Sequence, residues 1–96
     1  MDALKAAPES ATVLLENERV RVIDVKFKPG QKTIMHSHPD HVIYVIKGGK
    51  MKITLPSGTS NEVSLKDGQI VWMKGGQHAV ENLSKTEANN LVIELK

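Results

Sequence analysis

Three of the four histidines in this chain lie within six consecutive positions, in the stretch HSHPDH, as His36, His38 and His41. On a strand, residues two apart face the same side, so His36 and His38 present their imidazoles together. Pro39 and Asp40 then bend the chain and allow His41 to turn back toward the same point. Clustered imidazoles repel one another when protonated, whereas a bound divalent metal ion holds them neutral. The spacing therefore predicts part of a metal site.

The remaining candidate ligand is His78, which follows a KGG turn and opens the short stretch HAVEN. The chain has no cysteine, so its strong metal ligands are limited to His, Asp and Glu. The same absence excludes disulfides, zinc ribbons, iron–sulfur sites and thiol nucleophiles. Asp40 and Glu81 flank candidate ligands, and we interpret them as turn and surface residues.

Short strands must position these histidines, because period-two alternation with β-branched residues dominates from Thr12 onward. Turn sequences such as KPG, KGG, PSG and KDG interrupt the alternation at regular intervals. An all-β domain of about eight to nine strands is therefore predicted over residues 12–96, after a polar arm over residues 1–11 with a short helical turn before Pro8. So many strands in 96 residues favour a closed barrel or jelly roll, since a wide open sheet leaves exposed edges.

Two of the predicted strands have unusual patterns. In RVRVIDVKFK the polar positions change parity between Val22 and Ile23, which predicts a bulge or a strand that passes between sheets. In VIYVI, residues 42–46, both faces are apolar. That pattern indicates a strand covered on one side by the barrel interior and on the other by a second sheet or a partner subunit.

Strand parity also predicts which residues surround the histidines. Tyr44 falls on the opposite face of its strand, and Arg19 and Arg21 are predicted to face outward. No Asp or Glu is predicted inside the barrel. The residues predicted to share the histidine faces are Ile34, Ile43, Val45, Val80 and Asn82.

Two segments resemble the motifs of the cupin family, whose members are also called RmlC-like proteins. The first begins at Gly30 and runs through the two histidines of HSH to YVIKGG. The second begins at Gly68 and runs through a KGG turn and His78 to Asn82. The resemblance is close over residues 30–49 and 68–82 and extends over roughly residues 12–96. It implies a cupin-like jelly-roll β-barrel, also described as a double-stranded β-helix.

His41 departs from that motif, because it stands near the position where cupins usually supply a glutamate ligand. The arrangement is similar to small four-histidine cupins that hold manganese or other divalent metals. The resemblance thus implies a divalent transition metal ion, Mn, Fe, Ni, Co or Zn, with the ligands His36, His38, His41 and His78. An octahedral ion would keep two adjacent positions for other ligands, whereas tetrahedral zinc would be filled. Four neutral ligands leave the ion its full charge, which favours a small anionic or dicarbonyl-type ligand.

Three functions are compatible with such a site. The first is a metal-dependent enzyme with oxygenase-like or lyase-like chemistry on a small molecule, for which the sequence identifies no catalytic side chain. The second is a module that binds or senses a metal or metabolite without turnover, which the lack of an internal acid, base or arginine favours. The third is a cupin in which the metal is purely structural.

Composition restricts the partners. Thirteen basic and eleven acidic residues give a net charge of +2, and the chain has only one Phe, one Tyr and one Trp, so nucleic-acid binding is not expected. The longest apolar run is far shorter than a membrane span, and the N-terminus lacks the pattern of a signal peptide. We therefore expect a cytoplasmic protein that binds neither membrane nor nucleic acid. The doubly apolar strand at residues 42–46 predicts a homodimer.

Overall fold

A computed structural model of the protein describes residues 10–96, which form nine β-strands and no helix. Every strand pairs antiparallel with its neighbours. The prediction of an all-β fold with eight to nine strands is thereby confirmed. The strands are β1 (Ala11–Glu16), β2 (Val20–Phe27), β3 (His36–His38), β4 (His41–Lys47), β5 (Gly49–Thr54), β6 (Ser60–Leu65), β7 (Ile70–Met73), β8 (Gly76–Asn82) and β9 (Ala88–Leu95).

The strands form two sheets that enclose a common interior. One sheet has five strands in the order β1-β2-β9-β4-β7, and the other has four in the order β3-β8-β5-β6. Ile23 and Val45 of the first sheet are fully buried, and Met51 of the second is 2% exposed. Alternate residues of both sheets thus point into one core, as the jelly-roll prediction requires.

The parity change in β2 has a different origin from the one expected. Strand β2 pairs with β9 without a register shift and stays in one sheet, so it contains neither a bulge nor a crossing. The irregularity lies in the partner strand β1, between Val13 and Leu15, opposite Val22 and Ile23. The prediction of a bulge within β2 was wrong because Arg21 is an inward-facing residue of β2, although it is charged.

The segment that leads to the histidine cluster is less regular than predicted. Strand parity was extended back to Ile34, but only His36–His38 is a regular strand, with an isolated bridge between Lys32 and Glu81 farther back. The side-chain hydroxyl of Thr33 accepts a hydrogen bond from the amide N–H of Val80 at 3.0 Å. In a regular ladder a backbone carbonyl would be the acceptor. This segment therefore follows β8 but joins its ladder only at the histidines.

The predicted N-terminal arm falls largely outside the described residues, because residues 1–9, with the turn expected before Pro8, are not described. Ser10 is buried and its carbonyl accepts the amide of Lys26 at 2.8 Å, and Ala11 already belongs to β1. Within residues 10–96, no helix has the length and apolar character that crossing a bilayer requires.

Candidate metal centre

Three histidines converge where β3 pairs with β8. His36 and His78 are direct partners across the two strands, and their ring centroids are 4.7 Å apart. His38 lies two residues farther along β3 on the same face, with its ring centroid 4.9 Å from that of His36 and 5.1 Å from that of His78. Each ring offers one nitrogen within 4.8 Å of the nitrogens of the other two. The spacing of two residues thus brings both imidazoles of HSH to one point, as predicted.

His41 approaches this group from the other sheet. It is the first residue of β4, and its ring centroid is 4.5 Å from that of His38 but 6.4 Å from that of His78. The turn at Pro39 and Asp40 therefore directs His41 back toward His38. The geometry is a close group of three rings with the fourth beside it.

A hydrogen bond between two turns fixes the edge of the cluster. The Asp40 carboxylate accepts the amide N–H of Gly75 at 2.6 Å, which joins the β3–β4 turn to the β7–β8 turn. A Cβ atom at Gly75 would lie 3.2 Å from the backbone oxygen of His38 and 3.1 Å from the backbone nitrogen of Asp40, so glycine permits this close approach. The turns that carry His38, His41 and His78 are thereby held against each other.

Hydrogen bonds to backbone carbonyls orient two of the rings. The Nδ1 atom of His36 lies 2.9 Å from the carbonyl oxygen of Ile34, and that of His41 lies 2.8 Å from the carbonyl of Pro39. A carbonyl only accepts, so Nδ1 carries the proton in both rings and Nε2 has the lone pair of the neutral imidazole. This is the tautomer that metal-ligating histidines adopt when an outer partner holds the other nitrogen.

The third ring is held by a carboxylate that was not predicted to lie inside the barrel. The Nδ1 atom of His38 is 2.6 Å from Oε2 of Glu94, and Oε1 of Glu94 accepts Nε of Arg21 at 2.7 Å. Glu94 is 3% exposed and its Arg21 partner 15%. The prediction that no acid lies inside and that Arg21 faces outward was therefore wrong for this pair.

Strand register explains the pair. Arg21 and Glu94 are direct partners across β2 and β9, so both point inward together. Two patterns in the sequence carried this information. Glu94 alternates with Val92 and Asn90 on β9, and the apparent parity change in β2 arises because the inward residue Arg21 is polar. A charged side chain can point inward where an opposite charge faces it. The pattern of one strand does not show which residue of another strand will face it.

Burial controls the charge of the cluster. Burial lowers the pKa of His78 from its ordinary value of 6.5 to about 3, and repulsion from the neighbouring histidines acts in the same direction. Burial also lowers the pKa of His41, and the carbonyl of Pro39 opposes this effect only in part. For Glu94, burial alone would raise the pKa, but the hydrogen bonds with His38 and Arg21 outweigh it and hold the pKa below its usual value. Neutral imidazoles beside an ionised carboxylate are the protonation states that suit a metal cation.

The cluster forms one end of an interior cavity of about 400 Å³. All four histidines line it, and its other walls are mainly apolar, including Val25, Phe27, Ile43, Met51, Val71 and Val92. Among the described residues that line it there is no Asp, Glu, Lys, Arg or Tyr. Small hydroxyl and amide groups are contributed by Thr33, Ser64, Gln69 and Asn90. A space of this size and character suits a small organic ligand.

The lining predicted by strand parity was correct in part. Ile43 and Val80 line the cavity as expected. Ile34 is 56% exposed, because the segment before β3 is not a regular strand. Val45 is fully buried but does not line the cavity, and the Asn82 side chain holds the β8–β9 turn. Tyr44 is 41% exposed on the outer face, as predicted.

Comparison with known proteins gives consistent results. A family model described as the cupin domain matches residues 23–94. The beta-alanine degradation protein BauB of Pseudomonas aeruginosa is 32% identical over 87 residues, which are 88% of this chain and 90% of BauB. A crystal structure of a cupin domain from Bordetella pertussis has a TM-score of 0.83 at 35% identity, over 90% of this chain and 91% of that one. An RmlC-like cupin with a double-stranded β-helix fold from Methanocaldococcus jannaschii has a TM-score of 0.69 at 21% identity, over 88% and 77% of the two chains.

Proposed function

Because the chain belongs to the cupin family, we propose that it is a metal-dependent enzyme that acts on a small anionic or dicarbonyl-type molecule. In this proposal His36, His38, His41 and His78 bind one divalent transition metal ion. The carrying observation is that the rings of His36, His38 and His78 converge at one end of an apolar cavity, with centroid separations of 4.7–5.1 Å and one nitrogen of each within 4.8 Å of the others. The ring of His41 lies beside them, 4.5 Å from that of His38 and 6.4 Å from that of His78.

The protonation of the rings supports metal binding. Hydrogen bonds from Nδ1 of His36 and His41 to carbonyl oxygens make Nε2 the ligating nitrogen in each neutral ring. The low pKa of His78 keeps that ring neutral at pH 7, so binding a cation does not require a proton to leave it. Without a metal ion, bringing buried imidazoles together would not stabilise the fold.

Charge supports the proposed class of substrate. The four ligands are neutral, and the one carboxylate near them, Glu94, contacts the outer nitrogen of His38 and is balanced by Arg21. The protein therefore neutralises little of the charge of a divalent ion. An anionic oxygen or a pair of carbonyl oxygens is the complementary ligand.

Each part of the cavity has a separate role in this proposal. The bound ion would supply Lewis-acid or redox chemistry to an oxygenase-like or lyase-like reaction. Glu94 orients the His38 ring and increases the basicity of its ligating nitrogen. The aliphatic walls exclude water, which strengthens electrostatic interactions at the histidine end of the cavity. The name of BauB, a protein of beta-alanine degradation, supports a small carbon compound as substrate.

A second function is favoured by one specific observation. The described residues that line the cavity include no carboxylate, amine or phenol that would transfer a proton. A protein that binds a metal and a metabolite without converting it needs no such group. The competing proposal is thus a binding or sensing module with the same metal site.

Metal analysis combined with turnover separates these functions. We expect protein purified without chelators to contain about one Mn, Fe, Co or Ni per chain, and metal-reconstituted protein to consume oxygen or release product with a member of a panel of small acids and diketones. His41→Ala and His78→Ala variants should lose metal. A Gln77→Ala variant, at an exposed position beside His78, is the matched control and should keep it.

The outcomes are distinct. A melting shift with a panel compound but no product supports the binding module. Full metal content in both histidine variants would disprove the four-histidine site.

A further inference from the structure

Asn90 is one of the few polar residues in the mainly apolar cavity wall. It lies on β9 between Val25 of β2 and Val45 of β4, its direct partners in the sheet. The residue is 7% exposed and lines the cavity, and its Oδ1 atom is buried without a hydrogen-bond partner among the described residues. Buried amide oxygens are almost always hydrogen-bonded, so this one requires an explanation.

The other buried asparagine shows what a structural amide does in this fold. Asn82 is fully buried, and its Nδ2 atom donates to the carbonyls of Phe27 at 3.1 Å and Thr86 at 3.0 Å. Its Oδ1 atom accepts the amide N–H of Ser84 at 3.0 Å. Asn82 therefore holds the β8–β9 turn, whereas Asn90 has no comparable set of partners. Packing does not explain Asn90 either, because a branched apolar residue would fit between two valines without an unsatisfied polar atom.

From this contrast we propose that Asn90 is a ligand-binding residue that hydrogen-bonds a hydroxyl group of the molecule held in the cavity. The inference rests on the proposed function, because it assigns the second contact of the same ligand. Rotating the terminal amide by half a turn exchanges Oδ1 and Nδ2. A hydroxyl group both donates and accepts, so it satisfies whichever atom faces the cavity.

The position of Asn90 defines the shape of the ligand. Asn90 and Glu94 are four residues apart on the inward face of β9, which places their Cα atoms about 13 Å apart along the strand. Glu94 is at the level of His41, its partner in β4. Asn90 therefore lies well away from the histidines, with Val92 between them on the same face. The matching ligand has oxygen donors at one end, an apolar middle and a hydroxyl at the other end.

Paired probes and paired variants test this role. The probes are 2-oxopentanoate and 2-oxohexanoate, each with and without a terminal hydroxyl, titrated into metal-loaded protein. Wild-type protein should bind at least one hydroxylated probe about tenfold more tightly than the same compound without the hydroxyl. A tenfold difference in affinity corresponds to one hydrogen bond. The Asn90→Leu variant should lose this preference while it keeps its affinity for the unsubstituted probes.

The melting temperature of the ligand-free protein distinguishes a ligand-binding role of Asn90 from a structural role, because the two roles predict changes of opposite sign. Asn90→Leu should raise the melting temperature of metal-free protein, because it removes an unsatisfied buried oxygen. Asn82→Leu, the matched control, should lower it, because that amide makes several bonds.

Each other result counts against the assignment. A lower melting temperature in Asn90→Leu, or wild-type protein that binds metal but does not distinguish the probes in either pair, overturns the role of Asn90 and leaves the metal site standing. Protein that binds no metal in the same samples overturns the proposed function itself and this inference with it.

Discussion

At the scale of single residues, the most informative feature is the position of the one carboxylate near the histidines. By its resemblance to the cupin motif, His41 stands near the position of the usual glutamate ligand, whereas the carboxylate of Glu94 contacts Nδ1 of His38. In the proposed site the negative charge therefore lies on the outer partner of a ligand and not in the ligand set. Such partners orient ligands and tune their basicity, so Glu94 is part of the proposed site although no acid was predicted there.

The Glu94→Gln variant should bind metal more weakly. We expect the Kd for Mn²⁺ or Co²⁺ to rise about 10- to 100-fold, because the amide no longer holds the His38 ring as a charged acceptor. The free energy of unfolding of metal-free protein should fall by about 1–3 kcal/mol with the lost charged contact to Arg21. Isothermal titration and denaturant melts measure the two effects.

Glu62→Gln is the control for this variant. Glu62 pairs with Lys50 at 2.8 Å on the surface, where both side chains are more than half exposed. It should leave metal affinity unchanged and stability nearly so. Equal metal affinity in Glu94→Gln and wild-type protein would contradict the role given to Glu94.

Acid should destabilise metal-free protein through His78. The pKa of this histidine falls from 6.5 to about 3 on folding, so the unfolded chain takes up the proton first as the pH drops. Stability should therefore decrease progressively from about pH 6.5 toward pH 3, and His41, whose pKa is also lowered, acts in the same direction.

Melting curves in EDTA between pH 7.5 and pH 5 measure this dependence, above the range in which carboxylates are protonated. His78→Gln should show a shallower pH dependence than wild-type protein. An identical slope in the two proteins would exclude His78 as its source.

At the scale of strands and turns, the sequence predicts local features well and pairings poorly. Alternation identified the β-strands, and the spacing within HSH correctly brought His36 and His38 to one side. The inward orientation of Arg21 was missed because it depends on Glu94, 73 positions away in the chain. The cavity wall was predicted correctly at Ile43 but not at Ile34, because parity holds only where the strand is regular.

The hydrogen bond from Gly75 to Asp40 should matter for metal binding beyond its effect on stability. Asp40→Ala removes the acceptor that joins the two histidine-bearing turns, and metal affinity should fall at least several-fold. Asp67→Ala removes a similar bond, from the amide of Gly48 at 2.7 Å, away from the histidines.

Both variants should lose about 1 kcal/mol of stability, but Asp67→Ala should keep wild-type metal affinity. Asp40→Asn keeps an accepting oxygen and should retain most of the affinity. An equal loss of metal affinity in Asp40→Ala and Asp67→Ala would indicate that the lower stability weakens metal binding, and not the loss of the hydrogen bond between the two turns.

At the scale of the whole molecule, the outer face of the five-stranded sheet carries an apolar row. One row crosses all five strands through direct partners: Trp72, Val42, Ile93, Val22 and Leu15. Trp72 is 58% exposed and Leu15 51%. The doubly apolar strand β4 is thus covered on its inner face, while its outer residues Tyr44 and Ile46 are exposed in the single chain. An uncharged row of this kind matches a second copy of itself.

We therefore propose a homodimer that packs these faces together. Light scattering should give about twice the chain mass of 10.6 kDa. Trp72→Glu places a charge on the most exposed residue of this row, at its β7 end, and should yield a monomer. Ile34→Glu, at a similarly exposed position of 56% outside this sheet, should remain dimeric. A monomeric mass for wild-type protein would remove the proposal.

The crowding of three histidines into HSHPDH also affects the unfolded chain. His36, His38 and His41 stay within six positions of one another whether or not the barrel has formed, while His78 and Glu94 join them only through long-range strand pairing. A denatured chain therefore keeps a local chelating segment with its own affinity for transition metals. The stabilisation that a metal confers on the fold is then the difference between two affinities, and it is smaller than the affinity of the folded site alone indicates. Excess metal during refolding should bind this segment before the sheets assemble.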